Sequence, residues 1–359
     1  MADLILSRLR RTLQSWFTAG IGFEGAEQGS QPTQPSSGYR QIYAKSDGWY
    51  DQDDAGVETL LGSGEGVLSE APAINDGRLT LVSSSQIKWD GYRVSLWDPS
   101  VGRDVECIPS STPVLNYNDN ELYYDEALAA GYAYDVYLEF ASATSAALKA
   151  VRWADTPSTT RNVTPALWHG RYRYDNTTDT GKKRLWVGTV YLDTGPVFKD
   201  ARETRFIWNK YNQTFLSIGL DNPYSSNATD NPASTSWEGW ASSDTTWKTQ
   251  FVVGQATLVS ALARAGLQST NQNGVQIGIG LDSNSVNSAR SVGNSYVVSD
   301  IYLTHIGACQ FGESIVPGYH YMLPLQARVG ASSDRTVVFY ATTLATSAKT
   351  ANFDGWIMG

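Results

Sequence analysis

Several groups of side chains in this 359-residue chain have the types and spacing that chemistry would use. Asp51, Asp53, Asp54 and Glu58, in DQDDAGVE, put carboxylates at calcium-loop intervals. An EF-hand loop needs an oxygen ligand at its fifth position and a glutamate at its twelfth; those places hold Ala55 and Gly62, so the stretch reads as a polar hairpin tip. Gly20 to Gly25, GIGFEG, matches G-x-G-x-x-G. A dinucleotide fingerprint must open a helix so that the helix N-terminus faces the pyrophosphate. Here the helical pattern precedes the glycines and a Gln, Pro and Ser-rich stretch follows, so the match marks a helix stop and a linker. His169, His305 and His320 are the only histidines, without C-x-x-C or H-x-x-x-H spacing, and the sequence predicts no metal and no cofactor. Cys107 and Cys309 read as small buried residues, with a disulfide neither required nor excluded.

Nucleophile motifs are absent and the carboxylates are scattered among turns. Two carboxylates about 5 to 9 Å apart suffice for glycoside hydrolysis and can come from anywhere in a chain, so glycan cleavage stays open as an alternative. The aromatics are the better lead. Trp237, Trp240 and Trp247, in WEGWASSDTTW, have polar neighbours and are candidate glycan-binding residues, because exposed indoles stack on sugar rings. The competing reading has them covering a domain junction. Trp168, His169, Tyr172 and Tyr174 share the polar setting and read as a strand with one buried face.

The elements that must position these residues are mostly strands. The exception is Asp3 to Ala19, where Leu6, Leu9, Leu13, Trp16 and Phe17 fall on one helical stripe between a capping Asp3 and a terminating Gly20. Arg8, Arg11 and Gln14 face away from it, which excludes a membrane-spanning segment, and no apolar run of signal-peptide type follows. Such a basic amphipathic helix can lie on a membrane, dock in a partner's groove or bundle with copies of itself. Its place ahead of a linker favours docking or self-association, making the five apolar residues a candidate anchor. With 41% apolar and 18% charged residues and abundant Gly, Trp and Tyr, the rest suits short strands and tight turns. The net charge of -9 argues against a nucleic-acid partner.

The expected fold class is mainly β, with an N-terminal amphipathic helix, a small β-hairpin segment and two antiparallel β-sandwich, jelly-roll-like domains. The boundaries fall at 1–37 for helix and linker, 38–66 for the hairpin, 67–220 for the first sandwich and 221–359 for the second. Ala143 to Trp153 fits a helical turn or a strand equally well. The second domain is expected to use strands at Gln250 to Val259, Val275 to Leu281, Tyr296 to Ile306, Tyr319 to Arg328, Thr336 to Ala341 and Phe353 to Met358. Gly278 and Gly280 on one face of VQIGIGL imply close approach of another backbone, a neighbouring subunit being one source.

Two stretches carry a family resemblance. In Arg184 to Gln213, Leu185, Val187, Thr189 and Tyr191 alternate with Trp186, Gly188, Val190 and Leu192, both sets largely apolar, so this strand is expected to be buried on both faces. A charged loop then leads to an aromatic strand, RFIWNKYN. This couplet resembles a module of tail-fibre and related virion proteins of tailed bacteriophages. Upstream, GYRQIYAKSDGWYDQDDAGVETLL, Gly38 to Leu61, resembles the segment near the attachment end of many phage fibres. The wording Leu185-Trp186-Val187-Gly188 and Lys210 departs from the most familiar form of the fibre motif. The resemblance implies a noncatalytic, commonly threefold virion protein, made in the host cytoplasm and bound to other proteins of the tail, neck or capsid. Its N-terminus would anchor it, and its C-terminal domain would face the host surface and its glycans. The alternatives are a capsid or neck decoration protein with a purely structural role and a glycan-cleaving tailspike.

Overall fold

The computed structural model describes residues 41–45, 48–52, 58–63 and 75–359, the last apart from 169–170, 175–183, 221–227, 231–234, 241–246, 270–273, 290, 293–304, 330–336 and 340–351. The chain divides into two compact units, Met1–Ile74 and Asn75–Gly359. The protein is mainly β: strands make up 61% of the described residues and no helix occurs among them. The expected helix at Asp3 to Ala19 lies outside them.

In the first unit Gln41–Lys45, Gly48–Gln52 and Glu58–Ser63 form an antiparallel meander. The sequence predicts one hairpin here, a strand at Tyr39 to Tyr43 and a strand at Val57 to Leu61 with a polar tip between them. A middle strand occupies part of that tip, because Lys45 pairs with Gly48 across two residues, the shortest connection a hairpin uses. Asp51 stands opposite Thr59 in this meander, and Asp53 and Asp54 lie outside the described residues.

The second unit is organised about the strand Arg184–Tyr191. All its residues from Arg184 to Val190 are buried. The reason is visible in its two faces. Leu185, Val187 and Val190 join a core with Leu79, Ile87, Trp89, Val94, Leu96 and Leu115. Trp186 joins another with Trp153, Trp208, Phe251, Val259, Ile277 and Phe311. A strand between two cores is apolar on both sides, as its sequence predicts.

Around it run Ala133–Ser142, Ser145–Arg152, Ala166–Trp168, Arg171–Tyr174 and Ile207–Asn209, all antiparallel. Ala143 to Trp153, ambiguous in sequence, supplies the second arm of a hairpin in which Leu148 pairs with Leu138. On one side of this sheet lie Leu79–Ser83, Gln86–Trp89 and Val114–Asn116 and the ribbon of Val94–Asp98 and Arg103–Cys107. On the other lie two larger sheets. One holds Thr249–Val253, Gly274–Leu281 and Gly318–Val329 with short strands at Asp200–Ala201, Thr204–Arg205 and Glu238–Gly239. Thr204–Arg205 runs parallel to Thr249–Val253 within it. The second holds Phe215–Leu220, Asn352–Met358, Thr257–Ser269, His305–Ile315 and Ser291–Val292, together with the pair Ala228–Asp230 and Val337–Phe339.

Both larger sheets cross position 220, where the sequence reading ends one domain and begins the next. Phe215–Leu220 pairs with Asn352–Met358 along its whole length, and Asn75–Gly359 forms one compact unit. Burying the apolar face of Phe215–Leu220 requires the C-terminal strands. The expected single strand Gln250 to Val259 is likewise two: the chain turns at Gly254 and Gln255, and Thr249–Val253 and Thr257–Ser269 enter different sheets. Gly254 is needed there, since a Cβ would stand 2.5 Å from Thr189 Oγ1 and from the Trp208 ring.

Candidate functional site

The candidate glycan residues are separated by their burial. Trp240 is 1% exposed, packs in the core and donates its indole N–H to the Leu325 carbonyl at 3.0 Å. Its ring is therefore unavailable to a sugar, which corrects the expectation for that residue. Polar neighbours in sequence misled, because its neighbours in space come from Gly318–Val329. Trp247 is half-buried against the same core. Trp237 is half-buried over Gly278, where a Cβ would come within 2.7 Å of its ring and 2.5 Å of Asn287 Oδ1. At Gly280 the obstacle is the Ser283 carbonyl. The close approach that VQIGIGL implies is thus made within the chain, which removes the reason to place a neighbouring subunit there.

Tyr172 and Tyr174 stand on Arg171–Tyr174, with Tyr174 buried and Tyr172 edge-on to Trp186 at 5.8 Å. The Trp168 side chain and His169 lie outside the described residues, as do Leu6, Leu9, Leu13, Trp16 and Phe17. Cys107 and Cys309 are free and buried, and burial pushes both thiols above their ordinary range. Among the described residues no group of three or more His, Cys, Asp or Glu is placed to hold a metal ion. His320 contacts the Asp282 carboxylate through Nδ1 at 2.7 Å and the Val316 carbonyl through Nε2 at 2.9 Å.

Among the described residues, Arg161 and Arg152 each lie over two aromatic rings beside a carboxylate. The first is internal. Asp135, 1% exposed, accepts from Arg161 Nε at 2.5 Å, from Arg161 Nη2 at 3.0 Å and from Thr189 Oγ1 at 2.6 Å. Arg161 also donates to the Gly254 carbonyl and lies over the rings of Trp153 and Trp186, at 4.5 and 5.1 Å. Trp186 in turn stacks on Trp208 at 5.5 Å. Burial, reinforced by the Asp135 charge, pushes the neighbouring Tyr137 hydroxyl well above its usual range. This grouping ties the central sheet to the turn at Gly254, and its contacts are those of a structural joint.

The second lies at the surface, and the sequence reading missed it. The buried Glu121 carboxylate accepts the backbone N–H groups of Tyr123 at 3.0 Å, Tyr124 and Arg152 at 3.2 Å. Those bonds hold a turn in which Tyr123 and Tyr124 are 48% and 44% exposed. Their rings meet edge to face with centroids 4.7 Å apart. The Arg152 guanidinium lies 4.1 Å from the Tyr124 centroid, and Asn162 Nδ2 donates to the Tyr124 hydroxyl at 3.3 Å. Behind them burial pushes the Tyr134 hydroxyl up to about 12. A readable signal did exist: two adjacent large aromatics in NDNELYYDEA, with neither a strand nor a helix period to account for them.

No protein-family model and no curated protein matches the chain. Among solved structures it is similar to the insecticidal delta-endotoxin Cry8Ea1 of Bacillus thuringiensis, at 10% identity over 79% of this chain, with a TM-score of 0.24. The chain spans about half of that toxin chain, 51%. It is also similar to a protein of the infectious bursal disease virus Gx strain, at 10% identity over 79% of this chain and 76% of that one, with a TM-score of 0.18. TM-scores this low do not establish a shared fold.

Proposed function

We propose that this chain is a noncatalytic structural protein of a bacteriophage virion, fibre-like, anchored through its N-terminal region and presenting its β-rich body to the host surface. The observation that carries the reading is the division of the chain at Ile74 and Asn75. The stretch that resembles a fibre attachment end falls in one unit as a small meander, and the aromatic couplet falls in the core of the other. An attachment module separate from a larger body is what a fibre-like role requires. In this reading the body is built of antiparallel, jelly-roll-like sandwiches, three copies associate, and the partners are other proteins of the tail, neck or capsid.

The test changes the expected anchor and leaves the body alone. Leu9→Asp with Leu13→Asp should give a folded protein that is missing from purified particles, as read by quantitative mass spectrometry of virions. Undiminished incorporation overturns the anchor. Imaging of intact particles with the subunit labelled should place it on an outer appendage, and its absence from particles overturns the reading.

A further inference from the structure

We propose that the turn holding Tyr123 and Tyr124 is a saccharide-binding platform for an uncharged pyranose, a site that rests on the host-surface reading above and gives it a location. Neither ring joins the cores, and each leaves nearly half its surface to water, 48% and 44%. Exposed aromatic surface is ordinarily mobile, yet this pair is fixed. Glu121, 1% exposed, holds both backbone amides, and the amide of the intervening Leu122 donates to the Ala150 carbonyl at 2.8 Å. The turn is thereby bound to Ser145–Arg152 of the central sheet. Arg152 extends from that strand to cover Tyr124 at 4.1 Å and reaches Tyr132 at 5.0 Å.

Rigid exposed rings are what a pyranose needs, because the C–H face of the sugar stacks on an aromatic ring and a prefixed ring loses little conformational entropy on binding. Sugar hydroxyls also need polar groups around the ring. Here they are Asn162, which bridges the Tyr124 hydroxyl and the Arg152 carbonyl at 3.3 and 3.0 Å, and the exposed Glu126 carboxylate, 3.7 Å from Arg152. Asn120 and Asp125, bonded to each other at 3.2 Å, complete the rim. The charge at the rim selects the class. Asp125 and Glu126 are exposed against a single, largely covered Arg152, and the whole chain carries -9. An acidic sugar would be repelled, whereas a neutral one would find both acceptors and donors.

The experiment uses the whole purified chain and saturation-transfer NMR. The probes are neutral trisaccharides of gluco, galacto and manno configuration, the trimer of N-acetylglucosamine, a uronic-acid trimer and a proline-rich peptide. Transfer to pyranose ring protons of at least one neutral probe is expected, with little or none to the uronic-acid trimer. Tyr123→Ala with Tyr124→Ala should weaken that binding about tenfold or more, whereas Tyr124→Phe, which keeps the ring, should hold it within about twofold. If the double variant does not fold, Tyr123→Ser alone should show the weakening, with an unchanged circular dichroism spectrum. No transfer from any neutral sugar, equal transfer to the uronic-acid trimer, binding indifferent to the tyrosines, or capture of the peptide alone would each overturn the proposal. Location of the subunit on the particle is a separate measurement. A subunit present on virions that ignores all the sugars sinks only the platform, and a sugar-binding chain absent from virions sinks only the virion reading.

Discussion

Arg161 and Arg152 do nearly the same thing in opposite surroundings. Each lays its guanidinium over two aromatic rings and stands beside a carboxylate. Around Arg161 the carboxylate is buried and its oxygens are met by Arg161 and Thr189, while the guanidinium also reaches the Gly254 carbonyl. Around Arg152 the carboxylate of Glu126 is 67% exposed and the ion pair is loose at 3.7 Å. Taking charges from water is costly, so an internal grouping persists only where its polar atoms find partners, and breaking it strands a charge. A surface grouping keeps its hydration and contributes little to stability. The same chemistry thus acts as a joint in one place and leaves groups free for a ligand in the other.

The largest effect should come from opening the joint. Arg161→Met leaves Asp135 buried with Thr189 as its remaining side-chain donor, and should lower unfolding free energy by about 3 to 5 kcal/mol, read by urea denaturation. Adding Asp135→Leu should recover much of that loss, since no charge then remains to be stranded. A single variant that costs nothing would mean that the grouping does not join the sheets. A smaller effect is expected from Glu121→Ala. It removes the acceptor of three amides at the edge of solvent and should cost about 2 kcal/mol, with faster hydrogen exchange at Tyr123, Tyr124 and Arg152. If exchange there stays slow, the turn is held by something else and the contrast between the regions narrows.

The smallest effect is one of pH. Burial acts to raise the Asp193 carboxyl, but hydrogen bonds from Lys199 and the Thr194 amide outweigh it and hold it below the usual carboxylate range. Asp155 is lowered in the same way: burial acts to raise it, and the hydrogen bonds from Thr159 and Thr160 together outweigh that. A carboxyl whose folded pKa is depressed binds its proton more readily in the unfolded chain. The stability it contributes is therefore present above about pH 4 and lost as pH falls through the folded value. Both groups are half-buried and remain partly screened by solvent, so Asp193→Asn should flatten the acid side of a melting-temperature profile by the equivalent of less than about 1 kcal/mol. An unchanged profile would leave Asp193 out of the acid response.

What the sequence revealed depended on whether the structural cause was local. Arg184–Tyr191 was legible because each of its faces meets a separate core, so every residue carries the pattern. Ala143 to Trp153 was not, because small residues fit either period and only pairing with Ala133–Ser142 decides between them. The turn at Gly254 hid inside a continuous apolar run, since what forces it is the approach of Thr189 and Trp208. Trp237, Trp240 and Trp247 read as surface from their polar neighbours, and Trp240 is internal because distant Leu325 takes its N–H. Tyr123 and Tyr124 went unnoticed for a related reason. Their supports are Glu121, Arg152 and Asn162, gathered from separate parts of the chain through backbone amides and one guanidinium.

Asn352–Met358 lies between Phe215–Leu220 and Thr257–Ser269 in its sheet. A ribosome therefore delivers both flanking strands long before the one that must separate them. Until it arrives, each neighbour shows an unsatisfied backbone edge, and the inner face with Ile218, Val259 and Ala261 lacks Phe353 and Ile357. Such an intermediate can recruit the wrong strand, including one from a second nascent chain on the same message. Completion of this sheet thus waits for a strand made long after both its neighbours, and a chaperone supplied in that interval should favour the soluble product.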